Sequence, residues 1–116
     1  MANLIEEKSF DFAVRIVKLN RYLNEQKKEY TLSKQLLRSG TSIGANVTEA
    51  QQAQSTADFL SKLNIALKEA SETKYWLRLL HATDYLSDKE SASILAECTE
   101  LERILYSAVR TTKTKQ

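Results

Sequence analysis

The sequence has no proline, two glycines, one cysteine and one histidine among its 116 residues. With so few residues that break helices, we expect long helices joined by short connections. The single cysteine excludes an intramolecular disulfide, and nothing near the N-terminus resembles a signal peptide, so we expect a cytoplasmic location. No apolar run approaches the roughly 20 residues that span a bilayer, so we expect no membrane partner.

The sequence also has no large excess of charge of one sign. It contains 17 lysines and arginines against 15 aspartates and glutamates, a formal net charge of +2. This balance is too small to imply a nucleic-acid partner, so any such argument depends on where the charges lie. The hydrophobic fraction of 42% and the charged fraction of 28% are typical of a globular protein with one modest core.

Apolar residues recur every three or four positions in four successive segments, a pattern typical of amphipathic helices. The sequence therefore predicts an all-α protein, a single domain over residues 1–116 that folds as an antiparallel up-down-up-down four-helix bundle. The predicted helices cover roughly residues 4–27, 31–53, 56–82 and 88–112. The first of them has two apolar stripes, a wider surface than one core-facing stripe requires: one is Phe10, Ala13, Val14, Val17 and Asn20, and the other is Phe12, Ile16, Leu19 and Leu23.

Residues typical of helix starts precede each segment. The first helix has two alternative starts, at Asn3 with Glu6 or at Ser9 with Asp11. Thr31 is the predicted cap of the second helix. Capping boxes are predicted at Ser55 with Asp58 for the third helix and at Ser87 with Glu90 for the fourth.

Both glycines lie four residues apart inside the second helix. Because glycine in a helix interior costs roughly 1 kcal/mol relative to alanine, we expect a neighbouring backbone to approach closely there. The polar residues of the same segment follow three- and four-residue spacing, which aligns them along one edge. We call this set the packing seam: Ser39, Gly40, Ser42, Gly44, Asn46 and Glu49.

The run QLLRSGTSIGANVTEA over residues 35–50, followed by Asp58-Phe59, Lys62-Leu63, Ile65-Ala66 and EASE over residues 69–72, carries a family resemblance. It resembles the bacterial four-helix-bundle proteins encoded in intervening sequences of large-subunit ribosomal RNA genes. That family is similar to the accessory variability proteins of diversity-generating retroelements. The resemblance implies a closed four-helix bundle, a homopentameric barrel and a role in binding RNA or DNA, with a protein such as a reverse transcriptase as another possible partner.

In such a bundle the end of helix one, the start of helix two and the end of helix three meet at one end of the molecule. The cations expected there form what we call the basic pole: Lys18, Arg21, Lys27, Lys28, Lys34, Arg38, Lys74 and Arg78. Like charges four residues apart, as in Lys34 with Arg38, are mildly destabilising unless an anion lies nearby, and a phosphate could be that anion. Intramolecular ion pairs, or the helix dipole acting on cations at helix C-termini, are the alternative explanation.

Other candidate sites are less well supported. Ile65, Trp76 and Leu79 lie beside the heptad positions of helix three and are the predicted oligomer contacts, although Trp76 could instead stack on a base. Glu49, Glu69 and Glu72 suggest a di-iron site, but such sites need Glu-x-x-His on two helices and the sole histidine is His81, so no metal is predicted. Cys98 falls on the core side of helix four.

No nucleophile has a plausible base beside it, so no catalytic residues and no cofactor are predicted. The sequence thus predicts a non-enzymatic, oligomeric protein that binds nucleic acid through the basic pole. The alternative is a protein-interaction module or scaffold that does not bind nucleic acid.

Overall fold

The computed structural model describes residues 3–115, which form four α-helices and no strand. The helices are α1 (Leu4–Glu25), α2 (Thr31–Ala50), α3 (Thr56–Ala82) and α4 (Asp88–Thr114). Successive helices pack against one another and α4 returns to α1, which gives the predicted antiparallel four-helix bundle, 47 × 24 × 21 Å in extent. The predicted domain also included residues 1, 2 and 116, which lie outside the described residues. Within residues 3–115 no helix is long and apolar enough to cross a bilayer.

Three helix ends differ from the prediction. α1 ends at Glu25, two residues early, because the chain turns at Lys28, whose φ of 54° lies in the left-handed region. α2 ends at Ala50 instead of residue 53, and the turn that follows is closed by a hydrogen bond from Ala53 N to Ala50 O (3.1 Å). α4 continues to Thr114, beyond the predicted residue 112.

Side-chain caps fix the starts of three helices. The Asn3 side chain accepts a hydrogen bond from Glu6 N (2.9 Å), which selects the first of the two predicted starts of α1. Ser55 accepts from Asp58 N (3.0 Å) and Ser87 accepts from Glu90 N (3.1 Å), as predicted. Each cap satisfies a backbone N–H that has no partner within its helix, a contribution of about 1 kcal/mol.

The core is formed by the inward face of each helix, and the buried positions follow the predicted three- and four-residue spacing. Each buried Leu, Ile or Phe side chain stabilises the fold by about 1.5–3 kcal/mol relative to exposure. The largest fully buried apolar side chains are Phe12, Ile16, Leu23, Leu36, Ile43, Val47, Leu63, Leu77, Leu80, Leu101 and Leu105.

The two glycines allow α1 and α2 to approach closely. A Cβ atom on Gly40 would lie 2.8 Å from both Cγ1 and Cγ2 of Ile16, and one on Gly44 would lie 3.2 Å from the carbonyl oxygen of Ser9. The first distance is a steric clash and the second is a tight contact. The absence of a side chain at both positions therefore sets the spacing between α1 and α2.

Candidate nucleic-acid interface

The connection between α1 and α2 is held by hydrogen bonds from both sides. Glu29 N donates to Leu23 O (3.0 Å) at the end of α1. The Glu29 carboxylate then accepts from Leu32 N (2.9 Å) and Ser33 N (2.8 Å) at the start of α2. Thr31 was predicted as the α2 cap, and this was wrong: Thr31 is the first residue of the helix, and the buried carboxylate two residues earlier satisfies the free N–H groups.

A small polar network lies beneath this connection. Asn20 Nδ2 donates to Ser33 O (3.0 Å), and the Ser33 hydroxyl lies 2.8 Å from Asn24 Oδ1 and 2.7 Å from Glu29 O. Because buried polar groups with satisfied partners hold one geometry, the end of α1 and the start of α2 are fixed relative to each other.

Five cations surround this rigid connection, and we call them the basic corner. Each is exposed, and none makes an ion pair with another residue of the described chain. Lys18 and Arg21 lie in the C-terminal half of α1, Lys27 and Lys28 follow it, and Lys34 lies in the first turn of α2. They place five positive charges at one corner of the bundle, beside two carboxylates: the exposed Glu25, and Glu29, which caps α2.

Two members of the predicted basic pole are engaged with carboxylates instead. Arg38 pairs with Glu72 and, at 3.3 Å, with Glu69, both on α3. Lys74 lies 3.3 Å from Glu102 on α4. Intramolecular ion pairs, the alternative stated for the basic pole, therefore account for these two cations, because the neighbouring carboxylates balance their charge.

The remaining member, Arg78, is exposed on α3 and makes no ion pair within residues 3–115. It lies near the connection from α3 to α4, which is acidic. Asp84 adopts a φ of 69° in that connection, and Asp88 Oδ1 lies 2.7 Å from His81 Nε2. The end of the bundle is thus divided into a basic corner at the first connection and an acidic connection between α3 and α4.

The packing seam is split among three environments. Ser39 is buried and accepts a hydrogen bond from Thr73 of α3 (2.9 Å), whereas the two glycines face α1. Ser42 and Asn46 donate to carbonyl groups of their own helix, Asn46 to Ser42 O at 2.8 Å.

The last residue of the seam, Glu49, lies at the surface. It is exposed and lies 3.2 Å from Lys62 of α3. Each polar group of the seam thus has a structural partner, so the seam presents no free catalytic group.

The predicted oligomer contacts have mixed exposure. Ile65 is 39% exposed, but Trp76 and Leu79 are half-buried, and the Trp76 indole N–H donates to Glu72 (2.9 Å). A more exposed apolar stripe lies on the outer face of α1. It consists of Phe10, Val14 and Val17, which are 68%, 39% and 37% exposed.

We call these three residues the α1 stripe. Their four- and three-residue spacing places them on one face, opposite the core residues Phe12 and Ile16. The doubled apolar pattern of α1 was the signal for this stripe in the sequence. It did not by itself show which of the two stripes faces the core.

Cys98 and the acidic residues that suggested a metal site have structural explanations. Burial raises the pKa of the Cys98 thiol to about 12, with a smaller contribution from Glu102, so the thiol is neutral at physiological pH. Its sulfur lies 3.3 Å from Ala70 O. Within residues 3–115 no group of three or more His, Cys, Asp and Glu side chains converges as a metal site would require.

The architecture defines the chain as a small four-helix-bundle protein with a basic corner and an exposed apolar stripe. The family model for the 23S rRNA-intervening sequence protein matches residues 2–107, and the chain belongs to that family. The fold is similar to the crystal structure of a protein with unknown function from the S23 ribosomal protein family of Bacteroides thetaiotaomicron. The two share 55% identity and a TM-score of 0.91 over 91% of this chain and 98% of that chain. No curated protein matches the chain.

Proposed function

We propose that this protein is a self-assembling, non-enzymatic protein that binds nucleic acid by contacting phosphates with the basic corner. The observation that carries the proposal is the set of five exposed cations without ion pairs, held by the rigid connection between α1 and α2. Lysine and arginine at such a site bind phosphate oxygens and release counterions. The family description refers to an intervening sequence of 23S rRNA, which supports RNA as the first ligand to examine. A cytoplasmic location is part of the proposal.

Arg38 and Lys74 are not part of the proposed interface. Their carboxylate partners would have to be displaced before either side chain could neutralise a phosphate. Of the eight cations of the basic pole, five form the basic corner, two are paired with carboxylates, and Arg78 is exposed and unpaired within the described chain, beside the acidic connection between α3 and α4. The proposal assigns phosphate contact to the first five.

The test is the salt dependence of RNA and DNA binding, measured by fluorescence anisotropy. If all five corner cations contact phosphates, the slope of log K against log salt concentration is about −3.5 for a single strand and about −4.5 for a duplex. The variant Lys27→Gln/Lys28→Gln should make that slope shallower by about 1.4 to 1.8.

The matched control is Lys62→Gln, which removes a lysine that pairs with Glu49 at the opposite end of α2. It should leave the slope unchanged. A slope near zero for the unmodified protein, or equal effects of the control and the corner variant, would remove phosphate contact from consideration.

Self-assembly is the second part of the proposal, and the α1 stripe supports it. Three exposed apolar side chains with three- and four-residue spacing match the pattern by which one helix packs against another. Ile65 and Tyr75 expose further apolar surface on α3, so a ring in which each copy uses two faces is compatible with the homopentamer that the family resemblance implies.

Light scattering coupled to gel filtration tests the assembly. Val14→Glu/Val17→Glu should lower the molar mass to that of one chain, whereas Ile65→Glu tests the contact predicted from the sequence. A monomer in the unmodified protein would contradict this part of the proposal. The alternative function, a scaffold that binds a protein and no nucleic acid, is favoured if assembly persists while the salt slope is absent.

A further inference from the structure

A pocket lies between α1 and α4, the neighbouring helices that contact each other least closely. Its volume is about 270 Å³. Its walls combine three apolar side chains with four polar or charged ones: Leu19, Leu86 and Ile94, and Arg15, Lys18, Tyr22 and Glu90. An apolar cavity with a few convergent polar groups is the usual form of a small-ligand site.

We propose that this pocket receives one unstacked base of a single-stranded nucleic acid whose phosphates lie on the basic corner. The inference rests on the proposed function and specifies its ligand. Lys18 belongs to both features, since it lines the pocket and is one of the five corner cations. Arg21 lies about one turn further along α1 and Lys27 follows the end of that helix, so the proposed path runs from the pocket along these two cations.

The pocket has the groups that a base requires. Leu19, Leu86 and Ile94 form an apolar wall for the face of a base, and Tyr22, which is 37% exposed, has an aromatic ring on which a base can stack. Arg15 makes an ion pair with Glu97 of α4, which fixes one side of the pocket. Lys18 is then the cation of the pocket that has no ion-pair partner among residues 3–115.

Glu90 gives the pocket a preference among bases. Its Oε1 atom accepts from the Ser87 hydroxyl (3.2 Å), which leaves Oε2 able to accept another hydrogen bond. A carboxylate accepts from the N4 amino group of cytosine, whereas uracil has a carbonyl oxygen at that position and can offer only its ring N3–H. We therefore expect cytosine to bind more tightly than uracil.

The pocket also leads us to expect tighter binding of a single strand than of a duplex. A base inside a duplex is stacked and paired, so its face cannot reach a pocket between two helices without the cost of extrusion. Phosphate contacts alone give no such preference, because single strands and duplexes both present phosphates.

The experiment compares oligocytidine, oligouridine and an RNA duplex of equal length by fluorescence anisotropy. Tyr22→Leu should weaken single-strand binding about 5- to 150-fold, the range for one base–aromatic stack, and should leave duplex binding and the salt slope unchanged. Tyr22→Phe should retain the affinity. Oligocytidine should bind about 2- to 12-fold more tightly than oligouridine, and Glu90→Gln should reduce that difference.

Tyr106→Leu is the matched control. This tyrosine is 56% exposed on α4 and lies about 27 Å along the helix from its first residue, so its loss should not alter binding. Circular dichroism of each variant shows whether the bundle remains folded.

The outcomes separate the two proposals. Salt-dependent binding that is equal for duplex and single strand and insensitive to Tyr22→Leu would overturn the pocket and leave the proposed function intact. No binding of any nucleic acid would overturn both. The pocket would also be overturned if polyglutamate displaced the oligonucleotide with the same apparent affinity from the unmodified protein and from Tyr22→Leu. That result would show recognition of negative charge alone.

Discussion

The spacing between α1 and α2 can be tested by adding one methyl group at Gly40. Its Cβ would lie 2.8 Å from two carbon atoms of Ile16, a fully buried residue. Those atoms are the branches at the Cβ of Ile16, whose χ1 is restricted in a helix, so the side chain cannot rotate away freely. The methyl group therefore has to push the two helices apart or force an unfavourable rotamer.

Two opposing effects determine the size of the change. Alanine is more favourable than glycine in a helix interior by about 1 kcal/mol, whereas overpacking a core costs about 1–3 kcal/mol. We expect Gly40→Ala to destabilise the bundle by about 1 kcal/mol net, which lowers the midpoint of thermal unfolding by about 4 °C.

A double-mutant cycle isolates the contact. Ile16→Ala removes both branch atoms, so in that background Gly40→Ala should stabilise the protein by about 1 kcal/mol, and the two substitutions should be coupled by about 2 kcal/mol. Ala45→Gly on the exposed face of α2 measures the helix-propensity effect alone.

Urea denaturation followed by circular dichroism gives these free energies of unfolding. It should be repeated at several protein concentrations, because assembly adds to the apparent stability. Stabilisation by Gly40→Ala in the unmodified background, equal to that in the Ile16→Ala background, would refute the reasoning.

Two further predictions concern the α2 cap and the buried thiol. Glu29→Ala should destabilise the protein by about 1–2 kcal/mol, because two backbone N–H groups lose their acceptor. Thr31→Ala should change stability little. Equal losses of stability in urea denaturation would contradict this assignment of the cap. Because burial raises the Cys98 pKa from 9.0 to about 12, the unfolded chain releases the thiol proton first as pH rises. Between pH 9.0 and about pH 12 the thiol therefore lowers the free energy of unfolding by up to about 1.4 kcal/mol per pH unit. Cys98→Ala should make this decline of stability with pH shallower. An unchanged decline would show that other groups cause it.

The helices and the core could be predicted from the sequence because both depend on local information. The three- and four-residue spacing of Leu36, Ile43 and Val47 is present in the chain itself, and a helix turns it into one apolar face. The caps at Ser55 and Ser87 are local for the same reason. The α2 cap was wrong because the buried Glu29 carboxylate, outside the helix, reaches its first N–H groups, a result that depends on how the connection folds.

The basic pole stays a prediction as a binding site, and the structure shows which of its cations are ion-paired. The sequence indicated which end of the bundle would collect cations, because helix order and length fix that end. It did not show that Arg38 would meet carboxylates on α3, 31 and 34 residues further along the chain. The pocket between α1 and α4 likewise joins Tyr22 to Glu90, and no local pattern connects them.

The sequence by itself therefore determined that the chain forms helices, which side of each helix is apolar, and where two helices can approach without side chains. The tertiary structure decided which charges are balanced within the bundle, which apolar stripe of α1 stays exposed, and which side chains share a pocket. The physical reason is range: hydrogen bonds and periodicity within a helix act over about four residues, whereas ion pairs and pockets depend on distances between helices that only packing sets.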